Sequence, residues 1–226
     1  MIGRARLAAL AAALLAGGAA RSETLEYKIV WPSGARLGTV RLDMTGAQMK
    51  PMAPLTARMT MDASFPGVPV TGEFHSTMDG KGCTQRFEKR FTLALRRSDE
   101  VVTVAGGKAV RRTGSGGGES TMAVPACAHD ALAFLQFVRR ELKAGRVPTD
   151  GKLLFGAQYG VTVKKLGPDK VTIGGGKVDA ERFVFHVKGP ASESEFEILF
   201  SPDMARTPLE VRVDMAVGKF RLELAP

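Results

Sequence analysis

The sequence predicts a mainly β protein: a large antiparallel meander of about eleven strands, forming a strongly curved sheet or a barrel, with one amphipathic α-helix over about residues 130–143. Three observations predict it. Apolar and polar residues alternate with a period of two along most of the chain. Short Gly, Pro and Asp clusters separate the alternating runs and read as hairpin turns. A single segment switches to helical spacing. A sheet with that many strands accumulates twist and curls, and open edges are hazardous, so curvature or closure follows.

The first twenty residues read as an export signal, followed by one β-rich domain over 21–226. Arg4 and Arg6 precede an unbroken Leu/Ala run from Leu7 to Leu15, and Gly17, Gly18, Ala19 and Ala20 supply small residues for cleavage. The run is too short to span a bilayer. The expected mature chain starts near Arg21 and carries no transmembrane span.

The strands follow in order. Leu25, Tyr27 and Ile29 share one face, and Val40, Leu42 and Met44 form the next set. Leu55, Ala57, Met59 and Met61 continue, then Val68, Val70, Gly72, Phe74 and Ser76, then Phe91, Leu93 and Leu95. Tyr159, Val161 and Val163, then Phe183, Phe185 and Val187, then Leu209, Val211, Val213 and Met215, and finally Phe220, Leu222 and Leu224 complete the pattern. Pro32-Ser33-Gly34, Asp79-Gly80, Gly106-Gly107, Gly167-Pro168-Asp169 and Gly218 are the expected connections. Gly114 to Gly118 reads as a loop. Gly174-Gly175-Gly176-Lys177 lacks the Ser or Thr and the helix of a phosphate loop.

Ala131, Phe134, Leu135, Val138 and Leu142 recur at helical spacing. Asp130 stands at the N-cap position, and Arg139, Arg140 and Lys143 favour the C-terminal end of the dipole. Gly145 and Pro148 end the helix. Its apolar stripe is expected to lie on the dry face of the sheet, with Arg139 and Arg140 facing water. The dry faces beneath it carry Met59, Met61, Phe74, Phe91 and Leu93. The inner side chains of a curled sheet either fill its interior or leave room for a ligand. An apolar pocket is expected under the helix, lined by those five residues with Phe134 and Val138; the alternative is a fully packed core.

Composition narrows the chemistry. The net charge is +9, and the chain has only three His and two Cys. That argues against zinc modules and disulfide-dense scaffolds. In an oxidising compartment the two cysteines, Cys83 and Cys127, are expected to form a disulfide, worth about 4 kcal/mol in a chain-entropy model. His75, His129 and His186 lie apart, and neither a Gly-x-Ser-x-Gly nor a His-Glu-x-x-His motif is present. His129-Asp130 falls at a helix start, where the side chains serve capping. No catalytic, cofactor-binding or metal-binding residue is expected. The pairs Arg96-Arg97, Arg111-Arg112, Arg139-Arg140 and Lys164-Lys165 read as a solvated basic face. Export leaves anionic envelope components, not nucleic acid, as partners for that face. Met44, Met49, Met52, Met59 and Met61 form a cluster of adaptable apolar side chains, suited to core filling or to an apolar ligand.

The mature chain resembles a bacterial exported family known as domain of unknown function 3108. The resemblance rests on Leu25-Glu26-Tyr27-Lys28-Ile29-Val30-Trp31 with Gly34 and Leu37-Gly38. It continues in Cys127 to Leu142, and in Leu199-Phe200-Ser201-Pro202-Asp203 through Arg206-Thr207-Pro208-Leu209 and Gly218. It implies an exported β-rich protein and no particular activity. Asp203 and Arg206 are expected to pair across their turn, with Pro208 opening a strand. The expectation is an envelope or periplasmic protein, or one released outside the cell. It is expected to be no enzyme and to bind a lipid or other apolar or amphipathic ligand in its curved sheet. Two alternatives stand beside this: an assembly module docking through a sheet edge or basic face, and a hydrolase of an envelope polymer.

Overall fold

A computed structural model describes residues 21–46, 54–65, 67–114, 116–215 and 218–226. The expected leader (1–20), Met49 and Met52 lie outside the described residues.

Among the described residues, fifteen strands form one sheet in the order β8-β7-β6-β5-β4-β3-β2-β1-β15-β14-β13-β12-β11-β10-β9. The first half comprises β1 (Arg21–Val30), β2 (Arg36–Gly46), β3 (Leu55–Phe65), β4 (Val68–Met78), β5 (Thr84–Leu93), β6 (Arg96–Ala105), β7 (Lys108–Thr113) and β8 (Glu119–Ala123). After β9 (His129–Asp130) and helix α1 (Ala131–Lys143) come β10 (Asp150–Phe155), β11 (Ala157–Ile173), β12 (Gly176–Lys188), β13 (Glu193–Phe200), β14 (Pro208–Met215) and β15 (Gly218–Leu224). Each half is a meander, and pairing of β1 with β15 joins them. The sheet is curled without closing. All neighbours are antiparallel except β9 and β10, which run parallel because α1 connects them.

The strand count exceeds the expected eleven for a physical reason. β6, β7 and β8 carry charged or polar residues on both faces, so no dry-wet alternation marks them. Two turn assignments also change. Gly167-Pro168-Asp169 lies inside β11, where the β11–β12 register shifts between Lys165 and Gly167. The turn falls instead at Gly174-Gly175, both with positive φ, as a two-residue hairpin needs. Leu95 is not a strand residue: β5 ends at Leu93, Ala94 takes φ 53°, and Leu95 is 99% exposed.

The irregularity in β11 has a consequence for packing. Beyond it the β11–β12 hairpin folds back across β14, bringing Asp169 to Arg212 at 3.2 Å. Val171 and Ala180 of this flap bury Leu199 and Leu209 in a small third cluster. The flap thus gives apolar residues of β13 and β14 a second layer of cover.

Helix α1 matches its expected span. Asp130 caps it, accepting from Leu132 N and Ala133 N. Arg146 N reaches Glu141 O at 2.9 Å beyond Gly145, whose φ is +74°, closing the C-terminal end. Leu132 and Ala133 pack into the core of the first half, while Phe134, Val138 and Leu142 pack against β11–β13. The helix therefore bridges the two halves from inside the curl. Its approach to β10 needs Gly151: a Cβ there would stand 2.7 Å from the Phe134 ring.

Candidate functional site on the concave face

Strand register assembles the inner face into rungs of directly opposed residues. One rung runs Leu25, Leu42, Met59, Phe74, Lys89, Glu100. The next toward one end runs Tyr27, Val40, Met61, Gly72, Phe91, Ser98, and the one beyond it holds Val70 and Leu93. Exposure on this face differs by strand: Leu25, Tyr27, Leu42, Val40, Val70 and Phe74 are buried, whereas Met59, Met61 and Phe91 on β3 and β5 are half-buried and Leu93 is 45% exposed. The end at Val70 and Leu93 carries an edge-to-face cluster of Trp31, Phe65 and Phe220, with the Trp31 and Phe220 rings 4.7 Å apart.

The other end is closed by α1. Arg139, expected in water, is only 8% exposed. Its guanidinium forms a two-pronged pair with Glu23 at 2.8 and 2.9 Å and donates to the carbonyls of Ala205 and Arg206 at 3.0 and 3.1 Å. Those carbonyls, in the β13–β14 turn, and Glu23, near the start of β1, converge under the last turns of the helix. A cation placed there satisfies acceptors that an apolar side chain would leave bare. Arg140 does face outward, donating to Lys81 O at 2.6 Å.

The helix entrance is equally fixed. Asp130 is fully buried, and beyond its capping bonds it accepts from Ser76 Oγ at 2.5 Å and Thr84 Oγ1 at 2.8 Å. Burial raises its pKa, against the four hydrogen bonds that lower it. The disulfide between Cys83 and Cys127, Cα atoms 4.8 Å apart, ties this entrance to the β4–β5 turn. His129 stacks on Phe137, and burial, aided by the Arg140 charge, holds its pKa below the ordinary range. Asp130 is thus occupied as cap and anchor, bonded to Ser76, Thr84 and the first turn of α1 and not to His129.

The seven expected pocket residues divide into two groups. Met59, Met61, Phe74, Phe91 and Leu93 share the concave face of β3–β5 on three successive rungs. Phe134 and Val138 pack instead with Phe183, Phe185 and Phe200 in the other half. The expected Asp203–Arg206 ion pair does not form. Arg206 bonds Glu181 at 2.5 Å, while Asp203 accepts from Ser201 Oγ and Ala205 N. Pro208 does open β14, and its carbonyl accepts from the Tyr27 hydroxyl, whose pKa burial raises. The basic pairs do not make one face, because adjacent strand residues point to opposite sides. Arg111 faces inward to Glu100, whereas Arg112 pairs outside with Glu119.

One group on the concave face is absent from the expectations. Lys89, Glu100 and Arg111 meet where the apolar rungs end, beside Phe155. A signal for it exists in the sequence: Lys89 occupies a dry position between Phe87 and Phe91. Two hollows open on the opposite, convex face, around Arg58, Glu73, His75, Glu88 and Arg90 and around the neighbouring threonines. Arg58 and Arg90 already pair with Glu73 there. Among the described residues no group of His, Cys, Asp and Glu is arranged to hold a metal, and no helix is long and apolar enough to cross a membrane.

Comparison with known proteins agrees with the architecture. A family model described as "Protein of unknown function (DUF3108)" matches residues 26–225. The fold is similar to the crystal structure of a β-barrel-like protein of domain of unknown function DUF1849 from Brucella abortus. The TM-score is 0.63 at 11% identity, over 91% of this chain and 95% of that one. No curated protein matches the chain.

Proposed function

The chain belongs to the DUF3108 family, and from that premise we propose that it is an exported, non-enzymatic envelope protein that binds an apolar or amphipathic ligand against its concave face. One observation carries this reading: on the concave face of β3–β5, Met59, Met61 and Phe91 stay half-buried and Leu93 is exposed, while one end of the curl is stoppered by a helix anchored through Arg139 and Asp130. Half-exposed Met61 and Phe91, with exposed Leu93, form an apolar surface inside a curl. Contiguous apolar exposure of that kind favours a ligand, and Met suits a variable one. The Arg-flanked Leu/Ala leader and the disulfide support an exported, oxidising location.

The test is titration with the neutral dye N-phenyl-1-naphthylamine, read by dye fluorescence and by Trp31, the chain's one tryptophan, at the end away from α1. Saturable binding is expected, weakened about tenfold or more by Phe91→Asp, since losing one buried aromatic contact costs about 1.5–3 kcal/mol. Absence of saturable binding to the folded protein contradicts the reading. A second reading, docking to another envelope protein, is favoured by β8, which ends the sheet with four of its five residues exposed. It gains if the dye does not bind.

A further inference from the structure

The polar group on the concave face is built in an unusual way. Glu100 is 3% exposed, yet only one of its two carboxylate oxygens is engaged. Oε2 accepts from Arg111 at 2.7 Å and lies 4.0 Å from Lys89 Nζ. Oε1 is buried and has no hydrogen-bond donor among the described residues. A buried carboxylate oxygen without a donor forfeits its solvation, so such an atom marks a place where a donor belongs. Lys89 makes no side-chain hydrogen bond among the described residues; its ammonium sits over the Phe155 ring, 4.9 Å from the centroid.

Charge points the same way. Two cations surround one carboxylate, leaving an excess positive charge in a partly desolvated site. An anionic group brought to Lys89 and Arg111 balances it, and charge-assisted bonds in such surroundings are strong. Both side chains remain partly exposed and so are reachable. Gly156, at φ +72°, lies against Glu100, so that a Cβ there would stand 3.4 Å from Oε2 and 3.5 Å from Oε1. Phe74, Phe87 and Phe155 adjoin the group with ring centroids 5.9 to 6.5 Å apart. The apolar residues Phe91 and Leu93 follow Lys89 along β5 from there toward the end away from α1.

We infer that Lys89, Glu100 and Arg111 form a headgroup site for an anionic single-chain amphipath, in which Lys89 and Arg111 bind the anion and Glu100 Oε1 accepts from an adjacent N–H or O–H of the same headgroup. This rests on the proposed ligand-binding role and specifies its chemistry. The acyl chain lies along the rungs past Phe74 and Phe91. Glu100 disfavours headgroups that present only acceptors, and the two cations favour anionic headgroups over neutral ones.

Calorimetric titration with three probes tests it: 1-decanol, N-decanoylglycine, and N-decanoylsarcosine, which replaces the amide hydrogen with a methyl group. N-decanoylglycine is expected to bind about tenfold or more tighter than decanol, and in Lys89→Met or Arg111→Met the two affinities are expected to come within about twofold of each other. N-decanoylglycine is also expected to bind about three- to tenfold tighter than the sarcosine form, and Glu100→Gln, of equal size, to erase the difference. Unfolding curves confirm that each variant is folded. If decanol binds and the glycine form binds no tighter, or the cation variants change nothing, the headgroup site is wrong while the ligand-binding reading stands. Equal binding of the glycine and sarcosine forms overturns the role of Glu100. If no probe binds, both readings fall.

Discussion

A guanidinium survives inside a protein only where its donors are met, and Arg139 meets Glu23 and the carbonyls of Ala205 and Arg206 at once. Arg139→Met keeps the apolar stem but leaves these acceptors bare; it is expected to lower unfolding stability by about 2–4 kcal/mol in urea titration. Glu23→Gln is expected to cost about 1 kcal/mol, because the arginine keeps its carbonyls and Glu23 is partly exposed. Equal losses would contradict this arrangement. Asp130 gives a pH test. Its folded pKa is raised, so its ionisation opposes folding: stability from this group is present below the ordinary carboxylate range and is lost as pH rises through the folded pKa. Asp130→Asn keeps acceptance from Leu132 and Ala133 and removes the titration. Relative to the wild type, its stability is expected to improve as pH climbs from 4 to 7, and a constant difference would refute the assignment. The capping bonds of Asp130 are legible, since a carboxylate before an apolar helix is a capping signal, whereas its bonds to Ser76 and Thr84, more than forty residues away, are not. Nor are the partners of Arg139: position in the last helical turns fits both dipole and solvent, and only tertiary contact places the side chain inside.

At the scale of elements, the cysteine bridge holds three pieces together: the β4–β5 turn, β9 and the start of α1. It spans a sequence separation of 44. Replacing Cys83 and Cys127 with serine is expected to cost about 2–5 kcal/mol, and denatured, unreduced wild-type protein is expected to show no free thiol. Two reactive thiols would contradict the bridge. Gly151→Val tests the seat of the helix on β10, because its side chain must enter the Phe134 ring; a loss of about 1–3 kcal/mol is expected from overpacking. Helix α1 and the strands with clean alternation, such as β3 and β12, were readable because one period dominates each. β6 to β8 were not, because Lys89, Glu100 and Arg111 make the inner face polar where those strands assemble. The feature that hid the strands is the one that distinguishes the site. The fold in β11 was misread because Gly167-Pro168-Asp169 has turn composition, yet serves a bulge that turns the hairpin over β14.

For the whole molecule, composition and alternation were enough to foresee a curled, mostly antiparallel sheet with one internal helix. They were not enough to foresee which side chains share a space. Met59, Met61, Phe74, Phe91 and Leu93 came together because register on successive hairpins is short-ranged and follows from the pattern. Phe134 and Val138 went to the other half because the direction of a helix across a curl depends on its anchors, Asp130 and Arg139, which lie far apart in sequence from their partners. One end of the curl is stoppered by α1, and the proposed ligand enters from the other, past Met61, Phe91 and Leu93. Methionine-methyl NMR during titration with 1-decanol tests this most directly. Met59 and Met61 line the concave face, whereas Met204 is exposed on the β13–β14 turn at the helix end. Saturable shifts at Met59 and Met61 with Met204 unmoved are the expected result. Unchanged spectra, or shifts of equal size at Met204, would contradict the claim.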